Sequence, residues 1–425
     1  MIKPSRIYLF CAIISCAFFL LPKSSLAYTK DDAAKKATSD GSLSDTQNAL
    51  NYINGRNEDG WVLTVGSPGG SYNWSGGLQI PSGRSITLEG AGTYSPDTRV
   101  TINFTHSQSA AISFSATNGK VVRITNFIFT DSGSPVATIQ VNGWSNVPSW
   151  SVDHNRFQNV ADRAIVVGNQ GGNAAGGIGP YGLVDNNWFE STGSAYRGLY
   201  IFFGDDSGSW RSPHTFGTDK TIVVEDNVFN RTGDTVPGLP AIDSAHGARW
   251  LMRYNTMNNW VAVLHGADST PVSTLQFEFN HNTVRVSDAV DYVLYIRGGT
   301  GVAMGNDLGI TGNPSNAGYN SAWKMVRDGS CSGGYPCFQQ VGRGVVNGAE
   351  GSVPVYFWDN AYNPGDGGSG DLWSTEGSSD IQLNRDFFLS AKPGYTEYTY
   401  PHPLQGGGTS DTTPPAAPQR MRLQQ

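Results

Sequence analysis

The sequence predicts an all-β solenoid, and three observations carry that expectation: a short unit that recurs five times, a glycine-rich and charge-poor composition, and a helix-forming stretch placed where a solenoid needs a cap. The unit is an apolar strand running into Asn-x-(Phe/Met/Val), at Asn155-Arg-Phe157, Asn187-Trp-Phe189, Asn227-Val-Phe229, Asn255-Thr-Met257 and Asn282-Thr-Val284. Each copy is too small to enclose a core, so it must bury its apolar face on the next. With 53 glycines, 15% charged residues and 11% aromatics in 425 residues, the chain reads as β-rich with tight turns. One long domain is expected, because the core of a solenoid grows in one dimension.

Residues 1–27 read as a targeting segment: Lys3 and Arg6 form a basic start, Ile7 to Leu21 an apolar stretch, and Ser25-Leu26-Ala27 a small-residue cleavage site. The mature chain is expected to begin at Tyr28 and to be secreted, into the extracellular medium or the periplasm. No later segment approaches 18 apolar residues, so no integral membrane segment is expected. Removing Lys3, Arg6 and Lys23 with the signal leaves 25 basic residues against 35 acidic ones, a net charge of −10 that makes nucleic acid a poor partner. Cys331 and Cys337 would then stand alone in an oxidising compartment. They are expected to pair across the Ser-Gly-Gly-Tyr-Pro loop, with two free thiols as the alternative.

The N-terminal cap region is placed at 28–60, where Ala49, Leu50 and Ile53 fall at helical spacing between Ser44 and Ile53 behind an N-cap at Ser44 or Asp45. Without it the first coil would present an open apolar end to water. Trp61 to Val65, Gly77 to Ile80 and Ser85 to Leu88 read as the strands of the first coil, between Gly, Pro and Ser turns. The solenoid is expected to run to residue 405. The Gly/Pro-rich tail 406–425 cannot build a core and is expected to be disordered.

The stretch DGWVLTVGSPG, followed by YNWSGGLQIP, ITLEGAG and VTI, resembles the N-terminal coil of secreted bacterial proteins of the pectate-lyase superfamily. Tyr398-Thr-Tyr-Pro-His-Pro-Leu404 resembles the closing segment of its bacterial members. The resemblance implies a single-stranded right-handed parallel β-helix over nearly the whole mature chain. It implies no single activity, because that superfamily includes lyases, hydrolases, epimerases and proteins without catalysis. Its pectate lyases use Ca²⁺ and an arginine base, which makes Ca²⁺ the cofactor the resemblance offers. Its epimerases carry an Asp-Pro-His-Asp box, of which Asp243-Ser-Ala-His246 shares the Asp and the His.

In a parallel β-helix, equivalent residues of successive coils stack about 4.8 Å apart. An Asn at a bend can adopt the left-handed conformation and bond to the amides above and below, while the Phe, Met or Val two positions on fills an interior stack. Looser copies at Asn126, Asn306 and Asn360 extend the series.

After each unit comes a strand ending at glycine: AIVVG (164–168), LYIFFG (199–204), AIDSAHG (241–247), VAVLHG (261–266) and VLYIRG (293–298). Registered on the glycine, Val167, Phe203, His246, His265 and Arg297 share one outward position, with Ile165, Ile201, Ser244, Val263 and Tyr295 two residues earlier. The same register points Asp243 inward with Ala245.

His246, His265, Arg297 and Tyr295 are therefore the candidate catalytic residues. Elimination from a uronate polysaccharide needs the sugar carboxylate neutralised, the neighbouring proton removed and the leaving oxygen protonated. Arg297 suits the first task, His246 or His265 the second and Tyr295 the third. Trp210 is the candidate sugar platform, with Arg249, Asp205 and Asp206 as further substrate contacts. The leading expectation is a polysaccharide lyase that works as a monomer. The alternatives are a glycoside hydrolase using two groove carboxylates and a non-catalytic glycan-binding or adhesive protein. His154, His281 and His402 read as structural.

Overall fold

The computed structural model describes residues 28–406 apart from 108, 169–178, 194–195, 204–209, 211, 233–238, 268–271, 288–291, 312–320, 328–333, 364–371 and 377–378. One coil shows the plan: Trp150–Asp153, Arg156–Gln158 and Arg163–Val167 are three short strands in sequence, and Gly182–Asp185 begins the next turn by pairing in parallel with Trp150–Asp153. Repetition builds three sheets, of 13, 10 and 10 strands among the described residues, called here the first, second and third, all parallel except for the antiparallel pair Thr29–Asp31 and Lys36–Ser39 that starts the first. The chain is a single-stranded right-handed parallel β-helix.

The sharp bend between the first and second sheets carries the asparagine ladder. The backbone N–H of Asn155 donates to Asn187 Oδ1 (3.0 Å), Asn187 to Asn227 (2.9 Å), Asn227 to Asn255 (2.9 Å), Asn255 to Asn282 (3.0 Å), Asn282 to Asn306 (2.9 Å) and Asn306 to Asn360 (3.1 Å). Each side-chain amide donates in turn to carbonyls of the strand below, so buried polar groups are satisfied by repetition. Two details differ from expectation. The left-handed residue is the one before the ladder Asn (His154, Asn186, Asp226, Tyr254, His281), because that position makes the turn. Asn126 occupies this turn slot, with φ 66°, and Phe127 takes the ladder place by donating its N–H to Asn155 Oδ1.

Two residues past the ladder, the rings stack through the interior. The centroids of Phe129 and Phe157 lie 5.4 Å apart, those of Phe157 and Phe189 4.9 Å, and those of Phe189 and Phe229 4.5 Å.

The helix Leu43–Arg56 closes the N-terminal end with Ala49, Leu50 and Ile53 fully buried. Its N-cap is Ser42, whose Oγ accepts from Asp45 N, so the cap lies two residues before the nearer expected one. Asp45 instead turns its carboxylate back to accept from Tyr28 N and Asp40 N.

At the other end, residues 395–405 run back across the outer face of the first sheet. Tyr395 OH donates to Glu278 Oε2 (2.7 Å), Arg253 donates to the carbonyls of Tyr398 and Thr399, and His402 N donates to Glu225 Oε1 (2.7 Å). Tyr398 and Leu404 pack on Leu183, Val223 and Leu251. His154, His281 and His402 make structural contacts: His154 touches Asp153 (2.9 Å), His281 holds Glu397 (2.8 Å) and His402, within the strap, is buried.

Among the described residues no helix is long and apolar enough to cross a membrane. Cys331 lies outside the described residues, and with it the expected disulfide; Cys337 is buried.

Candidate functional site: the outer face of the third sheet

Tyr200, Asp243, Val263, Tyr295 and Lys324 are paired partners on five consecutive strands of the third sheet. Their successors Ile201, Ser244, Leu264, Ile296 and Met325 are fully buried in the interior, so the first row faces out. Two residues beyond Val263 and Tyr295, His265 and Arg297 continue that outward face. Their N–H groups prolong the sheet by donating to Ser244 O (2.8 Å) and Leu264 O (3.2 Å).

This corrects the glycine-anchored register at the three preceding strands, where Val167, Ile201 and Ser244 share one interior level and Phe203, expected beside Val167, lies two residues further on and is buried. His265 and Arg297 share a stacked position, but the residue beside His265 on the preceding strand is Ala245, because Ser244 pairs with Leu264. His246 sits one place further on in a left-handed turn at φ 52°, its N–H donating to Val272 O and its ring edge-on to Phe202 at 6.2 Å. It leaves the row of His265 and Arg297. A slip of one residue also exchanges faces. Asp243, expected inside, is outward beside Tyr200 and Val263, while Ile165, Ile201 and Ser244, expected outside, are interior.

Asp243 is the centre of the face. Its Oδ1 lies 2.7 Å from His265 Nε2, and its Oδ2 accepts from Arg197 Nε at 2.5 Å. Arg297 Nη2 meets the other ring nitrogen, Nδ1, of His265. A guanidinium only donates and an ionised carboxylate only accepts, so a ring bridging the two would turn Nε2–H toward the carboxylate and the Nδ1 lone pair toward the guanidinium. The Asp243 side chain is 5% exposed. Burial pushes its carboxyl up, but the His265 and Arg197 hydrogen bonds outweigh burial and hold it below the usual carboxylate range.

Cations and tyrosines flank this centre. The Arg297 guanidinium lies 5.5 Å from the centroid of Tyr295, whose ring stacks on Tyr292 at 4.8 Å. Lys324 Nζ lies 5.7 Å from the same Tyr295 centroid and 2.9 Å from Glu376. On the other side the Arg163 guanidinium lies over Tyr200 at 4.8 Å, and Arg197 reaches Asp162 at 3.4 Å. Arg163 and Arg197 are register partners at the starts of adjacent strands. The repeated Arg-small-aliphatic starts, Arg163-Ala-Ile and Arg197-Gly-Leu, were the available sequence signal.

The structure separates the other expected contacts from this face. Trp210 is buried with Val272, Leu275 and Val345, and its Nε1 donates to Ser273 O (2.8 Å), so it fills a small core and offers no sugar platform. Arg249 belongs to the first sheet, is 2% exposed and donates to Ser212 O; burial lowers its pKa. It is a packed structural arginine. Asp205 and Asp206 lie outside the described residues. Trp188 faces out of the second sheet beside Arg156.

Ca²⁺ takes six to eight oxygen ligands. The central carboxylate here already has an oxygen on Arg197 and another on His265, and the surrounding side chains are cationic, so these residues do not fit that ion. Among the described residues no group of three or more His, Cys, Asp and Glu side chains is placed to hold a metal.

No family description and no curated protein matches the sequence. Among solved structures, the chain is similar to an alginate lyase from Paenibacillus sp. str. FPU-7, at 13% identity over 80% of this chain and 98% of that one, with a TM-score of 0.45. It is also similar to the catalytic domain of a GH87 α-1,3-glucanase bound to tetrasaccharides, at 15% identity over 83% of this chain and 70% of that one, with a TM-score of 0.33. A third likeness is to the A-module of the Azotobacter vinelandii mannuronan C-5 epimerase AlgE4, at 12% identity over 83% and 97% of the two chains, with a TM-score of 0.30.

Proposed function

We propose that the outer face of the third sheet is the active face of a polysaccharide lyase that cleaves a uronate-containing polymer by β-elimination. The observation that carries this reading is the line Asp243–His265–Arg297 across consecutive strands, in which a carboxylate, an imidazole and a guanidinium are joined in that order.

The uronate carboxylate draws Arg297 from His265 Nδ1 into a two-pronged contact, and the freed lone pair faces the proton next to that carboxylate. His265 takes the proton at Nδ1, and the electron pair left on carbon forms the new double bond as the bond from the adjacent carbon to the glycosidic oxygen breaks. Arg297 balances the charge that builds on the carboxylate as the proton leaves. Asp243, held ionised, stabilises the imidazolium through Nε2–H and fixes the ring. Tyr295, beside Arg297, supplies the proton for the leaving oxygen.

Hydrolysis would need a second carboxyl facing the first across the bond. Asp243 is engaged on both oxygens and kept deprotonated, which suits a positioning role and not that of a general acid.

The test is to screen the protein on pectate, alginate and glycosaminoglycans, with and without a chelator, by ultraviolet absorbance of the unsaturated product. A rising band that His265→Ala abolishes supports the reading. New reducing ends without the band identify a hydrolase, and binding without either identifies a glycan-binding protein. Undiminished activity in His265→Ala would sink the assignment of the base.

A further inference from the structure

Tyr200 and Tyr295 lie in one outward row, separated by Asp243 and Val263, and each has a cation over its ring. The Tyr295 station belongs to the catalytic centre. The Tyr200 station does not: Tyr200 stands two strands, about 10 Å, from the strand that carries His265.

Its cation is Arg163. That guanidinium lies 4.8 Å from the Tyr200 centroid and pairs with Asp162 at 3.6 Å, a carboxylate whose side chain is 43% exposed. An ion pair that loose and that wet contributes little, so Arg163 exchanges Asp162 for a better anion at small cost. Its Nε is buried and has no acceptor among the described residues. Arg197, its register partner, differs in being pinned by Asp243 at 2.5 Å. Val166 and Phe202, at neighbouring outward positions, are buried with Ala137 in a small apolar cluster against which Tyr200 packs, so the ring is held in place from beneath.

We infer that Arg163 and Tyr200 form a distal subsite for one uronate residue of a linear polysaccharide lying along the helix axis, with the sugar face on the tyrosine ring and its carboxylate on the guanidinium. The subsite rests on the lyase reading for its orientation and not for its binding chemistry. A 1,4-linked pyranose advances its chain by roughly one coil spacing, so the occupant of this subsite sits about two sugar units from the one at His265. Chains too short to span that interval are bound by the catalytic centre alone.

The experiment measures binding by calorimetry with oligouronates of increasing length and with a carboxyl-reduced polymer, in a His265→Ala background so that nothing is consumed. Affinity should step up about tenfold at the length that first reaches Arg163, as expected for one charge-assisted contact. Arg163→Met, which keeps the apolar stem over the ring, should remove the step, and the reduced polymer should show none. Tyr200→Phe should retain the step and Tyr200→Ala should lose it, with unchanged melting of each variant showing that the coils are intact. Arg285→Ala, on the second sheet, should change nothing. Length-independent binding, or a step that survives Arg163→Met, overturns the subsite while leaving the lyase reading standing. A step that depends on Arg163 in a protein whose wild type never yields unsaturated product upholds the subsite and removes the lyase reading.

Discussion

His265 Nε2 lies 2.7 Å from Asp243 Oδ1 although the two residues are 22 positions apart and belong to different coils, and the carboxylate that makes this contact is almost wholly buried. The pair works as a unit. Asp243→Asn keeps the shape but presents an amide where a carboxylate should receive the Nε2 proton. We expect kcat on a polyuronate to fall by about 10²-fold or more, with KM within a fewfold of wild type and a displaced pH profile. A loss confined to KM would show that Asp243 serves binding instead.

His246 and His265 provide an internal comparison. His265→Ala should lower the elimination rate by about 10³-fold, the scale of a lost general base. His246→Ala removes a ring packed on Phe202 at a turn and should leave the rate within about threefold. Rates for both variants by absorbance decide between the two histidines.

Trp210→Ala should act on stability and not on substrate affinity. The indole is 4% exposed and seals a small core, so its removal should cost roughly 3 kcal/mol in chemical unfolding with KM unchanged. A raised KM in a protein of normal stability would return Trp210 to the substrate.

Asn227 bonds the coils above and below it and has 1% exposure, so Asn227→Ala should cost roughly 2–4 kcal/mol by stranding Asn187 N and two carbonyls. Asn360 ends the described ladder and is only partly buried. Asn360→Ala should cost roughly 1 kcal/mol in the same denaturant assay. Equal costs at both positions would contradict a ladder whose members depend on two neighbours.

Glu278 makes the first sheet sensitive to pH. Burial raises its carboxyl from 4.5 to about 7, against the hydrogen bonds from Tyr395, Gly217 and Gln276. A carboxyl with a raised folded pKa favours the folded state while protonated. Its contribution is complete below about pH 4.5 and is lost as pH rises through about 7, with a ceiling of roughly 3 kcal/mol. Glu278→Gln should flatten the pH dependence of the melting temperature across that window. A wild-type profile unchanged by the substitution would show that Glu278 is not the group responsible.

The fold was legible because its determinants are local and repeated. Asn155, Asn187, Asn227, Asn255 and Asn282 each follow a strand of the first sheet by a fixed bend, so one alignment places two of the three sheets. The third sheet follows connections of unequal length, and its phase is not carried over from the ladder. The glycines that close its strands do not restore it, because Gly168 comes one residue after Val167 while Gly247 comes three after Ser244, the residue at the equivalent level. That difference moved His246 onto the outward row of His265 and Arg297 and Asp243 off the outer face. A charge argument was available as a corrective, since an unpaired Asp243 in the interior would have been far costlier than the same residue facing Arg197 and His265. Trp210 and Arg249 were beyond reach of pattern, because their burial depends on how connecting segments fold back over the first sheet.

The strap of residues 395–405 alters how such a stack comes apart. Coils joined only to their neighbours fray from an open end, each departure exposing the next. Here the last segment of the described chain is fastened to Glu278, Arg253, Glu225 and the Leu183 patch, four levels of the stack at once. Those levels cannot peel in succession until the strap lifts from all of them. The block so clamped includes the coils that carry Tyr200, Asp243 and His265, so thermal loosening should begin elsewhere and reach the line from Asp243 to His265 last.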